Sequence, residues 1–391
     1  MNLRPTRAVV DVDALAANFR TLEQALPPSV SVMPVVKADG YGHGAVPVAR
    51  RLAEEGAGIL AVAVVEEGAE LRRGGIVTPI LVMGWLGPDQ LEALAGNRLT
   101  PNAHSPEQLR ELLEFVEKKR TTLRLHLKLD TGMTRLGILP DQLPLVLELF
   151  AKAKEHLFLE GVFQNFASAD DGSSGQTAAQ QRTFDEMLAA IRAAGHAPSM
   201  IHTDNSAASL SRLFSSSKRT LFGISHIRPG LALYGPVPGL PLSDSLLDVM
   251  TFISAVDQVK RVPAGTRIGY GGTFVCARAT TVALVPAGYA DGVPRSLSGK
   301  GNVLIHGRRC PIAGRVSMDM TAVDATDLPE PPERGEEALY FGRGQGTRLG
   351  VEEVAAAAGT VPWELLCGVG PRVPRIIVRE GGVAETQSKF L

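Results

Sequence analysis

Pro34-Val35-Val36-Lys37-Ala38-Asp39-Gly40-Tyr41-Gly42-His43-Gly44 is the stretch that decides how this chain is read. The apolar residues Val30, Val32, Val35 and Val36 predict a buried strand, and the run stops abruptly on a lysine. Three glycines follow, interleaved with a tyrosine and a histidine. A lysine at the carboxyl end of a buried strand is partly desolvated, which disfavours the ammonium and frees the amine to attack a carbonyl. Most lysines simply face solvent, so the segment gains meaning only from the rest of the chain.

Working outward, short apolar runs alternate with amphipathic segments as far as about residue 235. The strand candidates are 30–36, 59–64, 80–83, 98–102, 123–129, 159–163, 200–203 and 224–227, with helical segments between them. Ser105-Pro106-Glu107-Gln108 offers an N-cap, a proline at the first helical position and a capping-box glutamine; Leu109, Leu112, Leu113 and Val116 then recur at helical spacing. Residues 177–194 place Phe184, Met187, Leu188 and Ile191 on one face, with Gly195 as the stop. Eight alternations of this kind predict an α/β chain whose larger part is a (β/α)8 TIM-like barrel. Before it, Arg7–Val12 reads as a strand, and Asp13 is expected to cap a helix carrying Leu15, Phe19, Leu22 and Leu26.

After Tyr234-Gly235-Pro236 the texture changes. Pro236–Pro241 reads as a linker, and strand-like stretches at 249–260, 279–285, 302–306 and 320–323 predict a smaller, mostly β C-terminal domain. Asp327–Glu337 reads as an acidic, proline-rich exposed loop, and Ala355–Ala358 as part of a short helix.

At 391 residues the chain suits two domains. A net charge of −1 gives no polybasic field for nucleic acid. The expected partners are a small molecule and a second copy of the chain. The cysteines, Cys276, Cys310 and Cys367, are too widely spaced for a C-x-x-C metal or redox site, and their odd, sparse count suits a reducing compartment. Charges at Arg4, Arg7, Asp11 and Asp13 interrupt any signal-peptide core, and no apolar stretch of about 18 residues could cross a bilayer. A cytoplasmic protein without a membrane or nucleic-acid partner is expected, and no metal site is read.

Barrel enzymes carry reactive groups at the carboxyl ends of their strands. That rule selects Lys37, Lys128, Asn165, Asn205 and Arg228. Extended motifs run through the whole chain in the same order as in a known family: VVKADGYGHG (35–44), HLKLDTGMTRLG (126–137), HTDNSAA (202–208), IRPGLALYG (227–235), then GYGGTF, GYADGVPR and GRVSMD. In these motifs the chain resembles the alanine racemases, which use pyridoxal 5'-phosphate (PLP).

The resemblance implies domain limits, a cofactor and roles. It assigns residues 1–12 to a first strand packing with the C-terminal domain, 13–238 to the PLP-binding barrel, and 239–391 to the β-rich domain. Lys37 would carry PLP covalently and serve as one of two proton-transfer bases. Tyr41, Ser206, Gly230 and Leu231 would hold the phosphate, and Asn205 would count among the cofactor-binding residues. Arg228 would face the pyridine nitrogen, where a cation disfavours ring protonation and leaves a weak electron sink. PLP enzymes of other types place a carboxylate there, so Arg228 points to reversible proton exchange at Cα. The second base would be Tyr270, donated by the C-terminal domain of a partner subunit; a phenol ordinarily ionises at about pH 10 and needs polar neighbours to act near neutrality. His202 would join the tyrosine–arginine network. Arg135 would grip the substrate carboxylate, Lys128 corresponds to a lysine often carbamylated, and Met318 would offer its backbone N–H from the partner. Two bases on different chains imply an obligate homodimer with shared active sites. The implied reaction interconverts L- and D-alanine and supplies D-alanine for a bacterial cell wall.

Two positions depart from the family pattern. Gln164-Asn165-Phe166-Ala167 stands where many members have Thr-His-Phe-Ala, and Trp363 replaces a tyrosine that touches the phosphate and lines the substrate entrance. These keep open a serine or broad-specificity racemase as the alternative. A PLP decarboxylase would want an acidic partner for the ring nitrogen, against Arg228. A non-catalytic PLP carrier built on the barrel alone would lack residues 241–391 and Tyr270.

Overall fold

The computed structural model describes residues 4–153, 155–171, 175–213 and 223–389. The chain forms two compact units. One comprises the segment ending at Leu15 together with Tyr41–Pro47 and Leu247–Leu391; the other comprises Ala16–Gly40 and Val48–Leu246.

Strands are numbered along the chain from β1 (Arg7–Asp11), which belongs to the first unit. The second unit holds β2 (Ser31–Val32), β3 (Leu60–Val62), β4 (Ile80–Val82), β5 (Asn102–Ala103), β6 (Leu123–Lys128), β7 (Leu157–Phe163), β8 (Met200–His202) and β9 (His226–Ile227). All paired neighbours are parallel. β5 to β8 run in order, β3 pairs with β4, and β9 pairs with β2. Isolated bridges Val35–Ala61 and Leu81–Thr100 join β2 to β3 and β4 to β5, and Ser225 N–H donates to Ile201 O at 2.8 Å beside β8 and β9. The ring is closed: the expected (β/α)8 barrel is present, with each expected strand overlapping an observed one.

Its helices bury one stripe each. The helix Pro106–Lys119 is capped by Ser105, whose Oγ accepts from Gln108 N–H at 3.1 Å, while Gln108 Oε1 takes the N–H of His104, one residue before the usual capping-box position. The helix Gln176–Ala193 buries Phe184, Met187, Leu188 and Ile191 and gives way to Gly195, whose φ of +87° favours glycine. The first helix, Val12–Ala25, corrects an expectation: Asp11, not Asp13, caps it, its Oδ1 accepting from the N–H groups of Asp13 and Ala14 at 2.9 and 3.0 Å. Asp13 already lies in the first turn, and its carboxylate accepts from Glu380 N–H instead.

The first unit is built on β10 (Met250–Ala255), β11 (Gln258–Val262), β12 (Arg267–Ile268), β13 (Phe274–Val275), β14 (Thr280–Val285), β15 (Asn302–Ile305), β16 (Arg308–Pro311), β17 (Thr321–Asp324), β18 (Glu337–Gly344), β19 (Thr347–Leu349), β20 (Arg375–Arg379) and β21 (Gly382–Gln387). The main sheet runs β16-β15-β18-β10-β1-β20-β21, with β19 on β18. β1 lies antiparallel to β10 and parallel to β20. The run 249–260, read as one strand, is two: Val256 N–H turns to Glu336 O and Asp257 N–H to Leu284 O, so β11 leaves β10 and joins β14 and β17 in a separate sheet. Among the described residues, no helix is long and apolar enough to cross a membrane.

Candidate active site

Lys37 follows the buried residues 33–36 that extend beyond β2 and lies at the barrel rim, half-buried. Just before it, Val35 N–H donates to Pro229 O at 3.0 Å and Val36 N–H to Ala61 O at 2.9 Å, which fixes the point where the lysine emerges. The backbone then makes a left-handed turn, with φ of 53° at Ala38, 56° at Asp39 and 60° at Gly40. Left-handed backbone costs about 1–2 kcal/mol per residue that carries a Cβ. Strain of this kind persists where surrounding structure overdetermines it. Glu67 supplies that constraint: its Oε1 accepts from Ala38 N–H and its Oε2 from Ala63 N–H, each at 2.7 Å.

Lys128 ends β6 and is buried, its Nζ 5.5 Å from the centre of the Phe163 ring. Burial, then the nearby Arg135, Arg228 and Lys37 cations, push its ammonium down to about 8, against the pull of Asp130. Asp130 also builds the following turn. Its Oδ1 accepts from the N–H groups of Gly132, Met133 and Thr134 at 3.0 Å each, and its Oδ2 from that of Arg135 at 3.2 Å. Gly137 closes the turn at φ +140°, where a Cβ would stand 2.5 Å from Asp130 N. The Arg135 side chain leaves this turn exposed.

Arg228, immediately after β9, is buried. Its Nη1 donates to the carbonyl oxygen and, at 2.9 Å, to Nδ1 of His202; its Nη2 donates to Gln164 O at 2.6 Å and Thr203 O at 3.3 Å. Among the described residues its Nε–H has no acceptor. Burial brings the guanidinium down to about 10, opposed by Asp204, so it stays a cation at neutral pH. His202 is fully buried and stacked on Phe163, 4.8 Å between centroids, and its Nε2 lies 2.7 Å from His126 Nδ1. Burial and then the Arg228 charge hold its imidazole well below the ordinary range, hence neutral. Both its nitrogens are engaged by protein.

Asn205 caps the helix Ser206–Leu213, its Oδ1 accepting from Ala208 N–H at 3.0 Å. Ser206 is thereby free of that duty. Its Oγ accepts from Gly230 N–H at 3.0 Å and Ala232 N–H at 3.3 Å, joining this helix end to the turn after Arg228. Asn165 is half-buried and donates from Nδ2 to Met133 Sδ at 3.2 Å and Phe166 O at 3.1 Å. Gln164 is fully buried against Thr131.

The barrel unit thus gathers Lys37, Lys128, Arg135, Asn165, His202, Asn205, Ser206, Arg228, Gly230 and Leu231. Tyr41, Tyr270, Met318 and Trp363 belong to the other unit. Tyr270 opens a short turn flanked by Gly269 at φ +70° and Gly271 at φ +74°, and is 72 % exposed; Met318 is 52 % exposed. Sequence reading did not single out Glu67 or Asp130. Each acts by accepting backbone N–H groups, and the only sequence signal was a glutamate in the first turn of Val65–Arg73 and an aspartate before Thr-Gly.

Residues 10–238 match the family model "Alanine racemase, N-terminal domain", and residues 249–377 match "Alanine racemase, C-terminal domain". An alanine racemase of Desulfovibrio desulfuricans is 37% identical over 377 residues, covering 96% of this chain and 98% of that one. The solved alanine racemase of Clostridium difficile 630 superposes with a TM-score of 0.89 at 32% identity, covering all of both chains. That of Bartonella henselae, solved with covalently bound pyridoxal phosphate, gives 0.85 at 30% identity over 96% of this chain and 99% of its own. With matches of this extent in both domains, and a strand-end lysine and buried arginine where the motifs require them, the chain belongs to the alanine racemase family.

Proposed function

We propose that this protein is a PLP-dependent racemase interconverting L- and D-alanine with two bases, Lys37 and Tyr270 of the partner subunit. The observation that carries the reading is the Nε–H of Arg228, a buried cation with every other N–H bonded to protein. A pyridine nitrogen is an acceptor of the right kind for it, and the adjoining charge keeps that nitrogen unprotonated. Ser206, with an O–H that has no acceptor among the described residues, and the turn at Gly230 and Leu231 suit a phosphate. The residues therefore fit PLP, which when bound supplies a covalent electron sink that acidifies the substrate Cα–H.

The chain's own groups do the rest. Lys37 holds the cofactor and moves the proton on one face of Cα, and Tyr270 moves it on the other. Tyr41 adds a phosphate contact. His202 acts through Arg228, since both its nitrogens are engaged. Arg135 grips the substrate carboxylate, helped by the backbone N–H of Met318 from the partner. Lys128, buried and readily neutral, is suited to carbamylation, which turns it into an anion able to orient Arg135. The exposure of Tyr270 and Met318 suits a homodimer in which each subunit completes its partner's site. The free cysteines agree with a cytoplasmic setting.

A serine or broader racemase is the second reading. It rests on Asn165, which cannot titrate, and on Trp363, 45 % exposed. Racemisation measured with alanine, serine, lysine and arginine separates the two: alanine is expected to give the highest kcat/KM, and any other leader overturns the assignment. Borohydride reduction followed by peptide mapping is expected to put the cofactor on Lys37; a tag elsewhere removes the reading.

A further inference from the structure

Glu160 lies on β7, apart from every residue given a role above, and the geometry connects it to Arg228. A guanidinium can only donate. Its Nη1, 2.9 Å from His202 Nδ1, therefore meets a lone pair there, so neutral His202 carries its hydrogen on Nε2. That Nε2–H points at His126 Nδ1, 2.7 Å away, which must accept. His126 then carries its own hydrogen on Nε2, and Glu160 Oε2 stands 3.7 Å from it. Three hydrogen positions follow in one sense from a single obligate donor; His126 Nε2 has no hydrogen-bond partner among the described residues, and the Glu160 carboxylate faces it at ion-pair distance.

The local backbone is shaped for this. In the pairing of β6 with β7, Leu125 lies opposite Leu159 and His126 opposite Gly161, so Glu160 is the extra residue of a bulge. Bulges reset side-chain alternation and re-aim one group. At Gly161 a Cβ would sit 2.5 Å from His126 Nδ1 and 2.6 Å from Cε1, so glycine leaves the room that the ring occupies. Both imidazoles are fully buried, which keeps them neutral. Arg124 reaches Glu160 at 3.2 Å from the solvent side, and His226, bonded to Ser225 Oγ at 2.8 Å, is a further titratable group near both rings, with Arg228.

We propose that Glu160 is a positioning residue of this site, favouring through His126 the tautomer of His202 that accepts from Arg228. It rests on the reading that Arg228 serves the cofactor. Without the Glu160 oxygen facing its Nε2, His126 is free to carry its hydrogen on Nδ1. That tautomer confronts His202 Nε2–H, drives His202 to the Nδ1–H form, and sets two donors against each other at Arg228.

The test is 15N-histidine NMR of the holoenzyme together with steady-state kinetics. In the wild type, His126 and His202 are both expected as Nε2–H tautomers. Glu160→Leu is expected to give mixed tautomers at His202 and about a tenfold lower kcat, with KM for alanine within about twofold. Glu160→Gln, which keeps an acceptor oxygen, is expected to restore both. Finding either ring as Nδ1–H in the wild type overturns the proposal, and this spectrum decides even if Glu160→Leu does not fold. Wild-type tautomers and kcat in Glu160→Leu overturn it as well. A wild-type protein with the expected tautomers but no racemase activity removes the functional reading alone.

Discussion

Glu67 accepts the backbone N–H of Ala38 at 2.7 Å, one residue past the lysine at the barrel rim, while its second oxygen holds Ala63. The left-handed turn at Ala38, Asp39 and Gly40 is thus tied to the helix Val65–Arg73 by one charge-assisted hydrogen bond, and the second bond of the same carboxylate fixes the start of that helix. Glu67→Ala should lower stability by about 1.5–3 kcal/mol, the range for bonds to a charged group. The turn would relax before the barrel melts, so cofactor release should accelerate more than global unfolding. Thermal melts of apo and holo protein, with absorbance-followed cofactor loss, check this; equal effects on both would place Glu67 among ordinary structural residues.

The same turn marks the limit of what the sequence reveals. The strand before Lys37 is legible because four valines can only be buried, and Lys128 and Arg228 are legible because the barrel rule points to strand ends. A left-handed run at Ala38 and Asp39 is not, since neither is the glycine that advertises such backbone. Asp130 and Glu67 escape notice because their partners are N–H groups, which every residue offers. The helix cap moved from Asp13 to Asp11 for a related reason: both are good caps, and only the end of β1 decides between them. In the β unit, β18 begins on Glu337 and ends on glycine, and β21 is a largely exposed edge, so alternation there is weak. The inner strands β1, β10 and β18 are held by pairing across long sequence separations, which periodicity does not report.

Lys128 gives a pH-dependent prediction. With its ammonium brought to about 8, roughly one-quarter of the amine is neutral at pH 7.5, against about one in a thousand for an ordinary lysine. Only the neutral amine adds to carbon dioxide, so the carbamate should form near neutrality and disappear as acid protonates the amine. Carbon-13 NMR with labelled bicarbonate should show a carbamate carbonyl in the wild type at pH 7.5 to 8 and none in Lys128→Ala. The variant should raise KM for alanine about tenfold, because Arg135 loses its anionic neighbour. An unlabelled wild type with normal activity would leave Lys128 as a plain cation.

Asp291 anchors the β unit. Its carboxylate pairs with Arg372 at 2.7 and 2.9 Å and with Arg4 at 2.6 Å, and accepts Gly288 N–H at 2.9 Å. Burial alone would raise its pKa, but the bonds from Arg372 and Arg4 outweigh that and hold it below the ordinary value. The native state therefore binds this proton less readily than the unfolded chain. The stabilisation is complete above the unfolded pKa of about 4 and is lost as pH falls through the lower native value. Asp291→Asn should cost about 3 kcal/mol at pH 7, and denaturant unfolding of the variant should change less between pH 5 and 3 than that of the wild type. Parallel pH profiles would contradict this.

Tyr270 separates the two-base reaction from any single-base scheme. Its phenol is 72 % exposed, on a turn whose glycines at 269 and 271 adopt backbone that disfavours larger residues. Phenylalanine keeps the ring and the turn and removes only the hydroxyl. If Lys37 and Tyr270 serve opposite faces of Cα, Tyr270→Phe should still exchange the Cα proton of one alanine enantiomer with deuterium at a near-native rate. Exchange of the other enantiomer should fall by about a thousandfold or more, within the usual range for removing a general base. Racemisation needs both steps and should fall with the slower one, while the cofactor spectrum stays as in the wild type. Proton NMR of each enantiomer in deuterated buffer reads the two rates separately. Equal loss from both enantiomers would mean that the phenol positions the substrate without carrying a proton, and full racemisation would return the whole reaction to Lys37.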